Sequence, residues 1–275
     1  MCTLFLLVNQ IKSIPIALIS NRDEFRGRMS TEIQGWDIQY LTRGNQLFGP
    51  RDEEQKGTWF ACENKWKGKW AVLTNIRDLK AYKDNMKSRG GIITDFLQNN
   101  LSSKAFLSQL NKTAGDYNFY NLIFSDENEI IFFNSKTLEQ KVIYTYGDER
   151  KYIFGLSNGT LDSDWPKVSV TKNIFLKNFS EHKISQESDY YWHYFRQEMM
   201  NKKRYELAKL PNTGVSQEME IFLSALFIDG DKYGTRSTLF FGIEEKPAIF
   251  IYEQTYMQNA EIENSKRIRV QYEIY

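Results

Sequence analysis

Met1-Cys2-Thr3-Leu4-Phe5-Leu6-Leu7-Val8 opens the chain with a run apolar at nearly every position. Pro15-Ile16-Ala17-Leu18-Ile19-Ser20-Asn21 follows after the polar turn Gln10–Ser13. Two such runs joined by a short polar turn predict a β-hairpin over Cys2–Asn9 and Pro15–Asn21. Strands without an in-out alternation suit a sheet covered on both faces. The same stretch carries chemistry. Aminopeptidases that remove the initiator Met generally require a small second residue, and Cys qualifies. Loss of Met1 would leave Cys2 with a thiol and a free α-amine on one carbon. That amine has an ordinary pKa of about 7.7–8.0, so part of it is unprotonated near neutral pH and can serve as base for its own thiol. Retention of Met1 turns the amine into an amide and removes the base.

Working outward, a second hairpin is predicted over Thr58–Glu63 and Lys69–Asn75, joined by Asn64–Gly68. Helices are predicted over Ile92–Asn99 and Ser103–Asn111, with Ser102 or Ser103 as N-cap. Strands are expected again at Tyr120–Ser125, Glu129–Asn134, Lys141–Tyr146 and Tyr152–Leu156. Helical spacing covers Val168–Phe179, Asp189–Leu210 and Gln217–Phe227. Three more strands, Ser237–Ile243, Ala248–Tyr252 and Arg267–Ile274, close the pattern. Strand blocks separated by helices predict an α+β chain of two stacked, mainly antiparallel sheets covered by helices.

Composition narrows the function. The chain has 275 residues, 41% hydrophobic and 15% aromatic, enough for a large core. A net charge of +1 gives no electrostatic footprint for nucleic acid or an anionic membrane. The runs Leu4–Val8 and Ile14–Ile19 fall far short of the ~20 apolar residues needed to span a bilayer, so an integral membrane protein is not expected. No signal peptide is read at the N-terminus. Two cysteines, Cys2 and Cys62, make no disulfide framework, and a reducing compartment, most simply the cytoplasm, is expected. Cys62 reads as core packing in mid-strand. His182 and His193 lack ligand spacing to each other or to a cysteine, so no His/Cys metal site and no cofactor are expected. The run Lys202-Lys203-Arg204 reads as a solvated helix face.

Polar residues gather where strands are expected to end: Asn21-Arg22-Asp23-Glu24, Thr74-Asn75-Ile76-Arg77, Gly155-Leu156-Ser157-Asn158-Gly159 and Tyr233-Gly234-Thr235-Arg236-Ser237-Thr238. Together with Met1-Cys2, Gly57-Thr58-Trp59, Ser88-Arg89-Gly90 and Tyr120-Asn121-Leu122-Ile123, these resemble, in order, the motifs of the NRDE family, which includes the transport and Golgi organisation proteins. The likeness covers essentially the whole chain as one domain, 1–275. Thr238 departs from the usual motif, where many members carry a further Ser.

That family looks similar to N-terminal nucleophile hydrolases, and more distantly to the bile salt hydrolase and penicillin V acylase group. The resemblance implies a four-layer αββα sandwich and an amidase site. Cys2 would be the nucleophile, with Asp23 holding the α-amine and Arg22 lowering the thiol pKa. Asn75 and Asn158 would offer side-chain N–H groups to an oxyanion, worth about 3–4 kcal/mol per donor. Arg236 would complete the charged shell. Glu24 competes with Asp23 as the acidic residue, because the acylase motif spaces its acid differently from the Arg. Two functions stay open. One is a cysteine-dependent amide hydrolase acting on a small N-acyl substrate. The other is a non-catalytic protein binding haem, or a lipid or acyl-CoA, on the same scaffold.

Overall fold

The computed structural model describes residues 2–36, 46–99, 101–181 and 187–272. The chain divides into two compact units. The first comprises residues 1–27, 77–80 and 149–275; the second comprises 28–76 and 81–148.

The first unit is built on a six-stranded sheet of β1 (Cys2–Ile11), β2 (Ile14–Phe25), β10 (Tyr152–Leu156), β11 (Tyr233–Ile243), β12 (Ala248–Tyr256) and β13 (Ile262–Gln271). The spatial order is β10-β1-β2-β11-β12-β13, and every neighbouring pair is antiparallel. β1 and β2 are buried along nearly their whole length, as an unalternating apolar strand requires. One face of this sheet, through Phe5, Leu7, Ala17 and Ile19, packs on α3 (Pro166–Glu181) and α4 (Ser188–Met199). Phe175, Tyr191, Trp192 and Phe195 supply the helical side of that core. A short α5 (Gln217–Phe222) precedes β11. Its N-cap Ser216 accepts the Met219 N–H.

The second unit is a seven-stranded antiparallel meander, β3 (Ser30–Trp36), β4 (Leu47–Asp52), β5 (Phe60–Glu63), β6 (Trp70–Asn75), β7 (Tyr120–Ser125), β8 (Glu129–Asn134) and β9 (Glu139–Thr145). Its core packs α1 (Gly90–Gln98) and α2 (Ser103–Thr113) on the sheet, with Phe96, Phe106 and Phe124 in mutual ring contact. Ser102 caps α2 by accepting the Ala105 N–H. Gly57 and Gly90 meet backbone to backbone: a Cβ on Gly57 would lie 2.6 Å from the Gly90 Cα.

The α+β class expected from the sequence is therefore present, as two antiparallel sheets that each carry helices. Several boundaries move. β2 runs on through Asn21-Arg22-Asp23-Glu24 to Phe25, because those residues pair with β11 rather than ending the strand. β11 likewise starts at Tyr233, so the whole Tyr233–Thr238 motif is strand. β3 and β4 were not anticipated, since Gly35, Gly49 and Pro50 break up their apolar pattern. α4 stops at Met199, ten residues or so short of the expectation. There the Asn201 carbonyl accepts the Phe227 N–H and its side chain accepts the Lys203 N–H, which replaces the helical ladder. Lys202-Lys203-Arg204 is exposed, but on irregular chain rather than a helix face. His182 lies outside the described residues. Among the described residues no helix is long and apolar enough to cross a membrane.

Candidate functional site

Four of the expected site residues meet at one end of the first unit's sheet. Antiparallel register sets Cys2 opposite Arg22 and Thr3 opposite Asn21, and on the other side of β2 sets Ser237 opposite Arg22. Opposed residues in an antiparallel ladder share a face, so Cys2, Arg22 and Ser237 form one row. Asp23, one residue on, belongs to the helix-covered face with Asn21.

Asn158 reaches the same end through the chain that continues β10. Ser157 Oγ lies 3.0 Å from Thr3 Oγ1, 3.3 Å from the Cys2 carbonyl oxygen and 3.4 Å from Asn158 Oδ1. The Asn158 carbonyl accepts the Arg77 N–H at 2.8 Å. Cys2, Arg22, Asp23, Ser157 and Asn158 are all buried.

Asp23 and Glu24 differ in setting. Asp23 is fully buried, and its Oδ1 accepts from Thr235 Oγ1 at 2.7 Å. Glu24 is partly exposed, and its carboxylate accepts the neighbouring Phe25 N–H. Arg236 sits at the bulge where the β2–β11 register shifts. Its guanidinium donates to the Phe25 and Arg26 carbonyls at the sheet end. Asn75 ends β6 in the second unit, and the role assigned to it rests on the family resemblance alone.

The site is electrostatically costly. Burial pushes the Cys2 thiol pKa up; Asp23 adds to that and Arg22 opposes it. Burial also raises the Asp23 pKa, with Lys167 the largest opposing influence. Burial raises Tyr233 well above its usual value, so its phenol stays a donor, bonding the Asp23 carbonyl at 3.0 Å.

Two residues here were given no role of their own from the sequence. Lys167, in the first turn of α3, is buried, donates to the Leu223 carbonyl at 3.0 Å, and is lowered by burial to about 8. Ser237 is buried, and its hydroxyl has no hydrogen-bond partner among the described residues. A lysine beginning a helix and a serine in a strand give no local sign of either role.

The chain matches the family described as Transport and Golgi organisation 2 across residues 1–258. It belongs to that family. Among curated members, the Homo sapiens Transport and Golgi organization protein 2 homolog is 29% identical over 171 residues, and the Bos taurus homolog is 28% identical over 169 residues. Each alignment covers 59% of this chain and 57% of the relative, so the chain spans little more than half the length of the curated family members it matches. Among solved structures, a mutant of conjugated bile acid hydrolase from Clostridium perfringens superposes with a TM-score of 0.49 at 12% identity, over 99% of this chain and 97% of that one. A second variant of the same hydrolase gives 0.49 at 11% identity, over the same shares of both chains.

Proposed function

We propose that this member of the Transport and Golgi organisation 2 family is a cysteine-dependent hydrolase of small N-acyl amides, with Cys2 as nucleophile. The observation that carries the reading is the Cys2–Arg22 register, which holds the one cysteine near the chain start beside a buried guanidinium, with Asp23 and Asn158 at the same sheet end.

The chemistry requires Met1 to be removed. The Cys2 α-amine then takes the thiol proton as sulfur attacks the amide carbonyl, forming a C–S bond and an oxyanion. The Asn158 side-chain N–H donates to that oxyanion, and the Ser237 hydroxyl is a second donor in reach of the Cys2–Arg22 row. Collapse breaks the C–N bond, and the α-ammonium returns its proton to the leaving amine. Water then attacks the thioester, giving the proton to the α-amine, and releases the carboxylic acid with the thiol restored. Arg22 favours the thiolate at every stage where sulfur carries charge.

The test is amine release from a panel of N-acyl amides differing in acyl length, with the N-terminal residue established by intact mass. Wild type lacking Met1 should turn over at least one member of the panel. Cys2→Ala should lose at least about a thousandfold in rate while keeping its fold. Undiminished turnover in Cys2→Ala would sink the mechanism.

A further inference from the structure

Arg77 and Glu220 form a buried ion pair that the proposed chemistry leaves without a task. Their side chains are 6% and 3% exposed, and Arg77 Nη2 lies 2.7 Å from Glu220 Oε2 of α5. Apolar residues of the same volume would fill this space at less desolvation cost, so stability alone is a weak reason for the pair. What such a pair fixes is direction, because a guanidinium offers its donors in one rigid plane.

The bonds around the pair close on each other. Glu220 Oε1 accepts both the backbone N–H and the hydroxyl of Thr213, at 2.7 and 2.6 Å. The Thr213 hydroxyl in turn accepts Arg77 Nε at 2.8 Å. A cavity of about 10 Å³ beside the pair has room for no more than one water, so bulk water cannot stand in for a lost partner.

This network ends on the oxyanion donor. Arg77 donates its backbone N–H to the Asn158 carbonyl at 2.8 Å. Its guanidinium also lies over Trp165, 5.1 Å from the ring centroid. The same indole packs on the residue after Asn158: a Cβ on Gly159 would lie 3.0 Å from Trp165 Cε2 and Cζ2. Arg77 therefore holds Asn158-Gly159 twice, once through the main chain and once through the indole. Ser157, on the other flank, ties Asn158 to Cys2 and Thr3 of β1.

We infer that Glu220 is a positioning residue for Asn158: by orienting the Arg77 guanidinium it fixes the Arg77 N–H on the Asn158 carbonyl, and with it the placement of the Asn158 side-chain amide for the oxyanion. The consequence for rate rests on the proposed amide hydrolysis, whereas the link from Glu220 to Asn158 rests on geometry. A donor displaced by about 1 Å loses up to about a hundredfold in rate.

The test compares amide turnover by wild type, Glu220→Gln, Asn158→Ala and the double variant, with folding checked by circular dichroism and the N-terminus defined by mass. Glu220→Gln keeps the shape and removes the charge that orients Arg77. Its kcat should fall about ten- to a hundredfold with KM nearly unchanged, as when an interaction made only in the transition state is lost. Added to Asn158→Ala, the same substitution should cost nothing further, because the donor it positions is already gone. Equal losses in both backgrounds would overturn the inference, since a residue serving only the fold acts in either. Cys2 alkylation by iodoacetamide, with the label mapped, should match wild type in Glu220→Gln. A large change there would mean that the whole sheet end is disturbed, and would overturn the inference too.

The link itself is read without substrate, by hydrogen exchange of the Arg77 backbone amide. Glu220→Gln should speed that exchange at least about tenfold relative to the amides of β1, and an unchanged rate overturns the inference. If Glu220→Gln does not fold, Thr213→Val, which removes the hydroxyl between Arg77 and Glu220, takes its place with the same expected outcomes. The two readings fail separately. Faster Arg77 exchange in a protein without amide turnover fails the hydrolase reading alone, and turnover with an Arg77 amide insensitive to Glu220 fails this one alone.

Discussion

Thr235 Oγ1 donates to Asp23 Oδ1 at 2.7 Å while accepting the Ile228 N–H at 2.9 Å, so one hydroxyl ties the buried carboxylate of β2 to the loop before β11. Both partners are fully buried, and neither water nor a surface group can replace the hydroxyl. Thr235→Val keeps the shape and removes the polar atom. The Asp23 oxygen and the Ile228 N–H would each lose a partner, at a cost of about 2–4 kcal/mol together. Urea unfolding measures it, and a loss below about 0.5 kcal/mol would show that the bridge carries little.

Ser237→Ala should behave in the opposite way. The hydroxyl is buried without a hydrogen-bond partner among the described residues, so removing it relieves an unsatisfied polar group. The thermal midpoint should stay level or rise. Amide turnover should fall by about a hundredfold or more through loss of one donor to the oxyanion. A clear drop in the midpoint would contradict this account of Ser237.

Gly90→Ala tests a different kind of motif residue. A Cβ there would come within 2.8 Å of the Thr58 backbone nitrogen and 2.9 Å of the Gly57 Cα, and backbone cannot step aside as a side chain can. The expected cost is about 1–3 kcal/mol from overpacking, with Cys2 labelling unchanged. Full stability would mean that α1 can shift away from the loop before β5.

Lys167 sets a pH dependence whose sign follows from its lowered value. Its ammonium titrates near 8 in the folded chain and near the ordinary ~10.4 when unfolded. Between those values the unfolded state binds more protons, so this group adds stability as pH rises from about 8 to about 10.4. Wild type should gain on Lys167→Met across that window by no more than about 1.4 kcal/mol per pH unit. Chemical denaturation at stepped pH checks it, and parallel profiles would show that Lys167 titrates normally.

Much of this architecture can be read from local pattern. The apolar runs of β1 and β2, the Ser102 cap of α2 and the β7–β8 pair lie where periodicity and turn chemistry put them. Beyond β3 and β4, whose apolar pattern glycines and a proline interrupt, the failures share one cause, partners distant in sequence. Asn21-Arg22-Asp23-Glu24 and Tyr233-Gly234-Thr235 read as strand ends because polar residues and glycine usually stop strands. In the folded chain they lie across one ladder and satisfy each other, as in Thr235 with Asp23 and Thr238 with Asn21 at 2.7 Å. Over-extension of α4 arose because helical spacing persists past Met199, while the stop comes from Asn201 binding a residue 26 positions on.

The sequence by itself determined the strand and helix classes of most segments, the family, and the candidates Cys2, Arg22, Asp23, Asn75, Asn158 and Arg236, because apolar periodicity and ordered motifs are properties of neighbouring residues. Only the tertiary structure decided that Asp23 is buried while Glu24 is partly exposed, that Ser237 stands in the row of Cys2, and that Lys167 is buried against the Leu223 carbonyl. Burial and charge balance depend on what the folded chain brings together across more than a hundred residues, and no local pattern encodes them.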